Sequence, residues 1–109
     1  MSDLAKLDCV PCRGGIPPLK GPAIGALLAR LGGGWRVVGE HHLEKDYAFP
    51  AFQDTIAFVN RVAGVAETQG HHPEMLVGFR TLTLRIWTHK IDGLTESDFV
   101  LAAKADAVL

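Results

Sequence analysis

The sequence contains little cysteine, no cluster of basic residues and no long apolar run. Only two of its 109 residues are cysteine, and the formal net charge is −1. Nucleic-acid binding needs clustered Lys and Arg to neutralise phosphates, so we expect no direct binding to nucleic acid. No apolar segment approaches the roughly 20 residues of a membrane span. The residues after Met1 lack the cationic and apolar regions of a signal peptide. We therefore expect a cytoplasmic protein with no membrane contact.

The two cysteines, Cys9 and Cys12, form a Cys-x-x-Cys pair near the N-terminus. Such a pair supplies half of a tetrahedral zinc site, and His41–His42 or His71–His72 would have to supply the rest. Adjacent histidines do not match the usual ligand spacing, and no strand precedes the pair as in a thioredoxin-like redox unit. We favour a simple N-terminal turn and predict no metal. A small zinc-binding domain is the alternative, and elemental analysis distinguishes the two.

The remaining composition is that of a globular protein, with 48% apolar and 21% charged residues. The length allows one domain with one modest core. Residues 1–20 are rich in proline and glycine, which predicts an irregular lead-in that does not form a packed element. We therefore place a single domain at residues 21–109.

Apolar periodicity predicts three helices and four strands. The helices are expected from Pro22 to Leu31, from Ala51 to about Gln69 and from Thr95 to Leu109, and the strands at 35–38, 43–49, 75–79 and 81–88. This order predicts an α+β fold, in which a four-stranded antiparallel sheet carries its helices on one face. The other face is polar and is free for a pocket or partner.

The helix predicted from Ala51 has an apolar arc of roughly half its circumference. One set of apolar residues follows helical spacing, and a second set widens the arc: Phe52, Ile56, Val59, Ala63 and Ala66, then Phe58, Val62 and Val65. Such a wide arc indicates contact with more than the helix's own sheet. It therefore favours a subunit interface. Gly70 is a natural stop for this helix.

The first two strands are separated by His41–His42. These histidines are expected in or near a hairpin and facing solvent. A contact at a subunit interface is the alternative.

Proton-transfer groups are concentrated around the end of the central helix. His71 and His72 lie between Glu67 and Pro73, and His89 and Asp98 follow. Histidine titrates near neutral pH, so converging imidazoles can pass protons in both directions. Pro73 biases His72 towards an extended backbone, and adjacent histidines at such a break can turn into one cleft.

Trp87 and His89 are expected on one face at the end of the last strand, because strand side chains alternate. Together they would form a wall for a flat heterocycle. Considered singly, Glu67 is typical of a solvated helix face and Asp98 of a first helical turn, with Thr95 as the N-cap. Their joint spacing favours a functional pocket.

Several of these spacings resemble the signature of the pterin-4a-carbinolamine dehydratase family. The signature is carried by Glu67-x3-His71-His72-Pro73, an aromatic ring at Phe79, then His89 and Asp98. The similarity covers roughly residues 20 to 108, including Trp35 and residues 93–99. The N-terminal Cys-x-x-Cys-x-Gly-Gly-x-Pro-Pro-Leu resembles bacterial members. Met75 stands where many members carry Trp, and we expect it to alter affinity without loss of function.

The resemblance implies dehydration of 4a-hydroxytetrahydropterin to quinonoid dihydropterin. His71 and His72 would be the acid/base pair, and His89 would hold or assist the hydroxyl. Glu67 and Asp98 would orient imidazoles and stabilise their charged form. Substrate would also contact Gly70, Pro73, Trp87, Thr88 and Lys90. No cofactor or metal is implied.

The resemblance also implies partners. The expected ligand is a pterin, the expected assembly is a homodimer or homotetramer, and the expected pathway is tetrahydrobiopterin recycling for aromatic amino acid hydroxylases. Relatives of this fold act instead as a dimerisation cofactor for a transcription factor or as an assembly factor for a carbon-fixing enzyme. A non-catalytic interaction module is therefore the alternative function.

Overall fold

A computed structural model describes residues 2–11 and 14–109. In chain order its strands are β1 (Arg36–Val38), β2 (His42–Ala48), β3 (Glu74–Val77) and β4 (Thr81–Ile86). Its helices are α1 (Gly21–Leu28), α2 (Phe52–Gln69) and α3 (Glu96–Ala107), with short 3-10 turns at Asp3–Lys6 and His89–Ile91. The predicted fold is confirmed: the helices pack on one face of a four-stranded antiparallel sheet.

The strands lie in the order β1-β2-β4-β3, so β2 and β4 form the centre of the sheet. Alternation along these strands separates the two faces. The helix-facing side chains are buried on both central strands: Leu43, Tyr47, Leu82, Leu84 and Ile86. On the opposite face Glu44 pairs with Arg85, and its Oε1 lies 2.7 Å from Nε of Arg85. The sheet therefore has an apolar side that forms the core and a charged side, as the sequence pattern predicts.

Helix α2 turns residues from both of its predicted apolar sets towards the core. Phe58 and Val62 are fully buried, together with Thr55 and Ala66. Phe58 packs against Tyr47, with ring centroids 4.8 Å apart. Phe52, from the first set, remains 48% exposed. The wide arc thus leaves an apolar flank that the sheet does not cover.

The N-terminal lead-in is more ordered than the sequence predicts. Leu4 is completely buried in the first 3-10 turn, and Lys104 of α3 donates to the carbonyl of Ala5 at 2.9 Å. Further along, the amide of Leu19 donates to the carbonyl of Leu94 at 2.9 Å. The prediction that this segment is not packed is therefore wrong for these residues. Leu4 lies in a short polar stretch before the prolines and glycines, which gives no periodicity from which its burial could be inferred.

Several element boundaries also differ from the prediction. Helix α1 ends at Leu28, three residues early, and β4 ends at Ile86. Beyond Ile86 the chain leaves the ladder because Thr88 bridges to Gly93. An alanine at Gly93 would place its Cβ 2.6 Å from Pro18, so the lead-in requires glycine at this turn. The lead-in therefore packs directly against the segment that follows β4.

Burial of Leu4 yields a stability prediction for the lead-in. Leu4→Ala should lower the free energy of unfolding by about 2–4 kcal/mol, because it removes a fully buried side chain and leaves a cavity. Leu7, only three residues on, is 40% exposed, so Leu7→Ala should cost less than about 1 kcal/mol. Urea unfolding curves of both variants measure the difference. Equal, small effects would show that the lead-in contributes nothing to the core.

Candidate active site

The end of α2 directs two adjacent histidines away from the helix. Gly70 adopts a left-handed conformation with φ of 64°. Its amide donates to the carbonyl of Glu67 at 3.3 Å, and the amide of His71 donates to that of Ala66 at 3.2 Å. These two bonds form a Schellman motif, which ends the helix at the predicted glycine. Because the chain is no longer helical at His71 and His72, the two side chains acquire separate partners.

The imidazole of His71 is held by a buried carboxylate. Its Nε2 lies 2.5 Å from Oδ1 of Asp98, which is completely buried in the first turn of α3. The other oxygen of Asp98 accepts from Oγ1 of Thr88 at 2.9 Å and from the amide of Thr95 at 2.8 Å. A carboxylate offers only acceptors, so Nε2 carries the proton that it shares with Asp98. In the neutral ring, Nδ1 of His71 is then a free acceptor.

His72 has its own carboxylate, but at the surface. Its Nε2 lies 2.5 Å from Oε2 of Glu67, one helical turn back on α2. The side chains of His72 and Glu67 are 60% and 78% exposed. The two neighbouring imidazoles therefore differ in environment, because one is half-buried against a buried acid and the other is in contact with water.

A third imidazole lies beside an indole at the end of β4. The rings of Trp87 and His89 have centroids 4.4 Å apart and an interplanar angle of 30°. The turn that carries His89 is closed by the amide of Thr88, which donates to the carbonyl of Gly93 at 2.8 Å. The predicted pairing of these two rings on one face is consistent with this geometry.

These elements enclose a cleft of about 280 Å³. Its lining contains most of the predicted site residues together with one from the lead-in: Gly70, His71, His72, Trp87, Thr88, His89, Lys90 and Pro11. Asp98 and Glu67 contact the histidines without lining the cleft, as expected of supporting groups. Pro73 is not part of the described lining. Pro11 was not predicted, since nothing in its sequence context relates it to residues sixty positions away.

Comparison with known proteins identifies the family of the chain. The family model described as "Pterin 4 alpha carbinolamine dehydratase" matches residues 17–108. The chain belongs to this family. A relative from Rubrobacter xylanophilus, provisionally named pterin-4-alpha-carbinolamine dehydratase, is 53% identical and aligns over 97% of this chain and 98% of its own length. A relative from Rickettsia bellii with the same provisional name is 48% identical over 94% of this chain and 91% of its own.

Solved structures of similar fold have more than one description. A transcriptional coactivator/pterin dehydratase from Brucella melitensis superimposes with a TM-score of 0.78 at 28% identity, covering 84% of this chain and 97% of that one. A pterin dehydratase-like protein identified as a RuBisCO assembly factor in the alpha-carboxysome gives a TM-score of 0.60 at 27% identity, covering 69% and 88%. Membership of the pterin dehydratase family therefore fixes the fold, and the activity has to be argued from the site.

Sequence reasoning missed a second pair of histidines beside the cleft. His41 and His42 are half-buried, and their rings lie 5.2 and 5.8 Å from that of Trp87. The sequence predicts that both side chains face solvent, and this prediction is wrong for their half-buried rings. Their position follows from the strand register, in which Leu43 pairs with Ile86 and the start of β2 therefore lies next to the end of β4.

The environment of Cys9 does not favour a reactive thiolate. Its amide donates to Oε1 of Gln69 at 2.7 Å, and its thiol donates to the carbonyl of Ser97 at 3.4 Å. Burial raises the pKa of the Cys9 thiol to about 11, whereas metal ligands and redox nucleophiles need a lowered pKa. Cys12, the other half of the predicted pair, lies outside the described residues.

Among residues 2–11 and 14–109, no group of three or more His, Cys, Asp or Glu side chains is arranged to hold a metal ion. No helix in the same residues has both the length and the apolar character to cross a membrane.

Met75, the departure from the usual family pattern, packs against the hydrophobic core. It pairs with the buried Leu84 across β3 and β4. The described lining of the cleft does not include it. Our prediction that Met75 alters affinity therefore has no contact with the cleft to support it.

Proposed function

We propose that the protein dehydrates 4a-hydroxytetrahydropterin to quinonoid dihydropterin. The observation that carries this proposal is the cleft itself, which brings together the imidazoles of His71, His72 and His89 beside the indole of Trp87. Its volume of about 280 Å³ is near the lower limit of small-molecule sites, which suits a bicyclic ring. Family membership supplies the substrate class.

The reaction needs one proton donor and one proton acceptor. The C4a–O bond breaks as a donor protonates the leaving hydroxyl, which departs as water. The N5–H bond breaks as an acceptor removes that proton, and its electron pair forms the C4a=N5 double bond. One imidazolium and one neutral imidazole supply both functions near neutral pH and exchange states over the reaction, so no net proton is consumed. The step requires no metal or cofactor.

We assign the acid/base pair to His71 and His72. Each engages a carboxylate through Nε2, which leaves Nδ1 as the ring nitrogen available to substrate. Asp98 orients His71 and sets its tautomer, in the way that a buried carboxylate orients a catalytic histidine. Glu67 does the same for His72 from the surface. His89, which approaches the cleft from β4, would hold or assist the hydroxyl.

The rest of the cleft would position the ring. Trp87 offers a flat aromatic surface against which a pterin can stack. Oγ1 of Thr88 is engaged by Asp98 and its amide by the carbonyl of Gly93, so Thr88 would contact substrate by packing alone, and Gly70 would contact it through its main chain. Lys90 lines the same cleft. Pro73 would contribute by fixing the backbone beside His72, since the described lining does not include it.

We also propose the biological setting that the family implies. Quinonoid dihydropterin is the form from which the pterin used by aromatic amino acid hydroxylases is regenerated. An enzyme of that class would supply the substrate, and the reaction would belong to tetrahydrobiopterin recycling. The proposed location is the cytoplasm.

We propose in addition that the protein is a homodimer or homotetramer. The uncovered flank of α2 is apolar, and an open groove of about 580 Å³ runs between α2 and α3, past Val65, Lys104 and Val108. Exposed apolar surface of this kind is typical of a subunit interface. Light scattering at micromolar concentration should give twice or four times the chain mass. A monomeric mass would contradict this proposal and leave the chemistry of the cleft unaffected.

An interaction module is the second candidate function. Apolar side chains are exposed at and beyond the edge strand β3, where Leu76 is 64% and Phe79 71% exposed. Phe79 lies beside Phe52, with ring centroids 6.4 Å apart. Such a patch can dock a partner protein. The two solved structures described above carry coactivator and assembly-factor descriptions.

The dehydratase proposal is tested by following the absorbance of freshly generated 4a-hydroxytetrahydropterin as it decays. The wild type should accelerate the decay well beyond buffer. His72→Ala should lose about 10²-fold in kcat, because it removes one member of the acid/base pair. Gln53→Ala, on an exposed position of α2, is the matched control and should behave as wild type.

The outcomes separate the two candidate functions. A folded wild type that is no faster than buffer would eliminate the dehydratase and favour the interaction module. If His72→Ala accelerates the decay as fully as the wild type, the dehydratase proposal stands and our assignment of His72 to the acid/base pair is wrong.

A further inference from the structure

His41 and Asp92 lie beside the cleft, and the proposed reaction uses neither. We propose that His41 is a positioning residue, which holds the turn from Trp87 to Asp92 and thereby fixes the His89 imidazole in the cleft. This inference rests on the proposed function for the role of His89. The claim that His41 holds the turn rests on contacts that can be tested without measuring catalysis.

The first contact is made with the far end of the turn. Nε2 of His41 lies 2.7 Å from Oδ1 of Asp92. Asp92 closes the 3-10 turn in a left-handed conformation with φ of 51°, and its amide donates to the carbonyl of His89 at 3.2 Å. His41 therefore contacts the side chain of Asp92, and the backbone of Asp92 is hydrogen-bonded to that of His89.

The second contact is made with the near end of the turn. The ring of His41 lies 5.2 Å from that of Trp87 at an interplanar angle of 43°, and Trp87 in turn packs against the ring of His89 at 4.4 Å. One imidazole thus contacts the residues on both sides of His89. Displacing His41 would therefore remove one contact at each end of the turn, which the bridge between Thr88 and Gly93 would still close.

His41 is itself held in place by the β1–β2 hairpin. Its amide donates to the carbonyl of Val38 at 2.9 Å, across a tight turn in which Gly39 and Glu40 have φ of 59° and 56°. Its Nδ1 lies 3.0 Å from Nδ1 of His42, so one ring donates and the other accepts. The contact with the turn therefore comes from an anchored side chain and not from a freely rotating one.

The solvent exposure of His41 and Asp92 allows a positioning role to be distinguished from a contribution to folding stability. The side chain of Asp92 is 85% exposed and that of His41 35%, and polar contacts between such exposed side chains contribute little to folding. Small displacements of a catalytic group, by contrast, can cost much in rate. Loss of the contact should therefore affect His89 and turnover while leaving the unfolding temperature nearly unchanged.

Three variants of the full-length protein test the proposal. His41→Ala removes both contacts. Asp92→Gly removes the carboxylate and tolerates the left-handed backbone. Asp92→Asn also tolerates that backbone and keeps an oxygen acceptor at the same place, so it is the conservative rescue. The readouts are the imidazole NMR signals of His89, kcat and KM for 4a-hydroxytetrahydropterin, and the unfolding temperature.

We expect His41→Ala and Asp92→Gly to shift the His89 signals and to lower kcat by about fivefold with little change in KM. Asp92→Asn should resemble the wild type in both readouts. His89 signals and kcat that stay at wild-type values in all three variants would overturn the proposal. So would a large fall in unfolding temperature that accounts for the loss of activity. If the wild type proves inactive, the dehydratase assignment fails, and the His89 signals alone decide whether His41 positions the turn.

Discussion

The site depends on one buried interaction, in which the carboxylate of Asp98 joins three separate parts of the chain. It accepts from the imidazole of His71 after α2, from the hydroxyl of Thr88 after β4 and from the amide of Thr95 before α3. A buried carboxylate is costly unless its lone pairs are satisfied, and here donors on each segment satisfy them. The helix dipole of α3 adds a favourable field at its first turn. The arrangement of the cleft therefore follows from the requirement to satisfy a single acid.

Around this acid, each wall of the cleft is fixed by a different local constraint. The left-handed Gly70 ends α2 so that His71 and His72 face different carboxylates. On the other side the bridge between Thr88 and Gly93 closes the turn that carries His89. That turn is then contacted by the lead-in at Gly93 and by the hairpin at Asp92. His89, which is proposed to assist the leaving hydroxyl, thus gains part of its order from residues outside the lining of the cleft.

Much of this arrangement could be predicted from the sequence, because periodicity reports local structure. The alternation in β2 and β4 and the helical spacing in α2 predict the sheet and its covering helix, and Gly70 and Thr95 mark helix ends at the observed places. What could not be predicted depends on contacts between distant segments. Leu4 has no periodic context, and Pro11 reaches the cleft only through tertiary packing. The approach of His41 to Trp87 follows from the register of β2 with β4, which a single sequence does not specify.

The most direct test of this account is the tautomer of His71 in Asp98→Asn, read from imidazole nitrogen-15 shifts alongside the dehydration rate. In this variant the side-chain oxygen would keep the hydrogen bonds that Thr88 and Thr95 donate. The side-chain NH2 group would then face Nε2 of His71. The account predicts that the neutral ring then carries its proton on Nδ1, and that the rate falls at least about 10²-fold in a folded protein. An unchanged tautomer with an unchanged rate would contradict the claim that Asp98 prepares His71 for proton transfer.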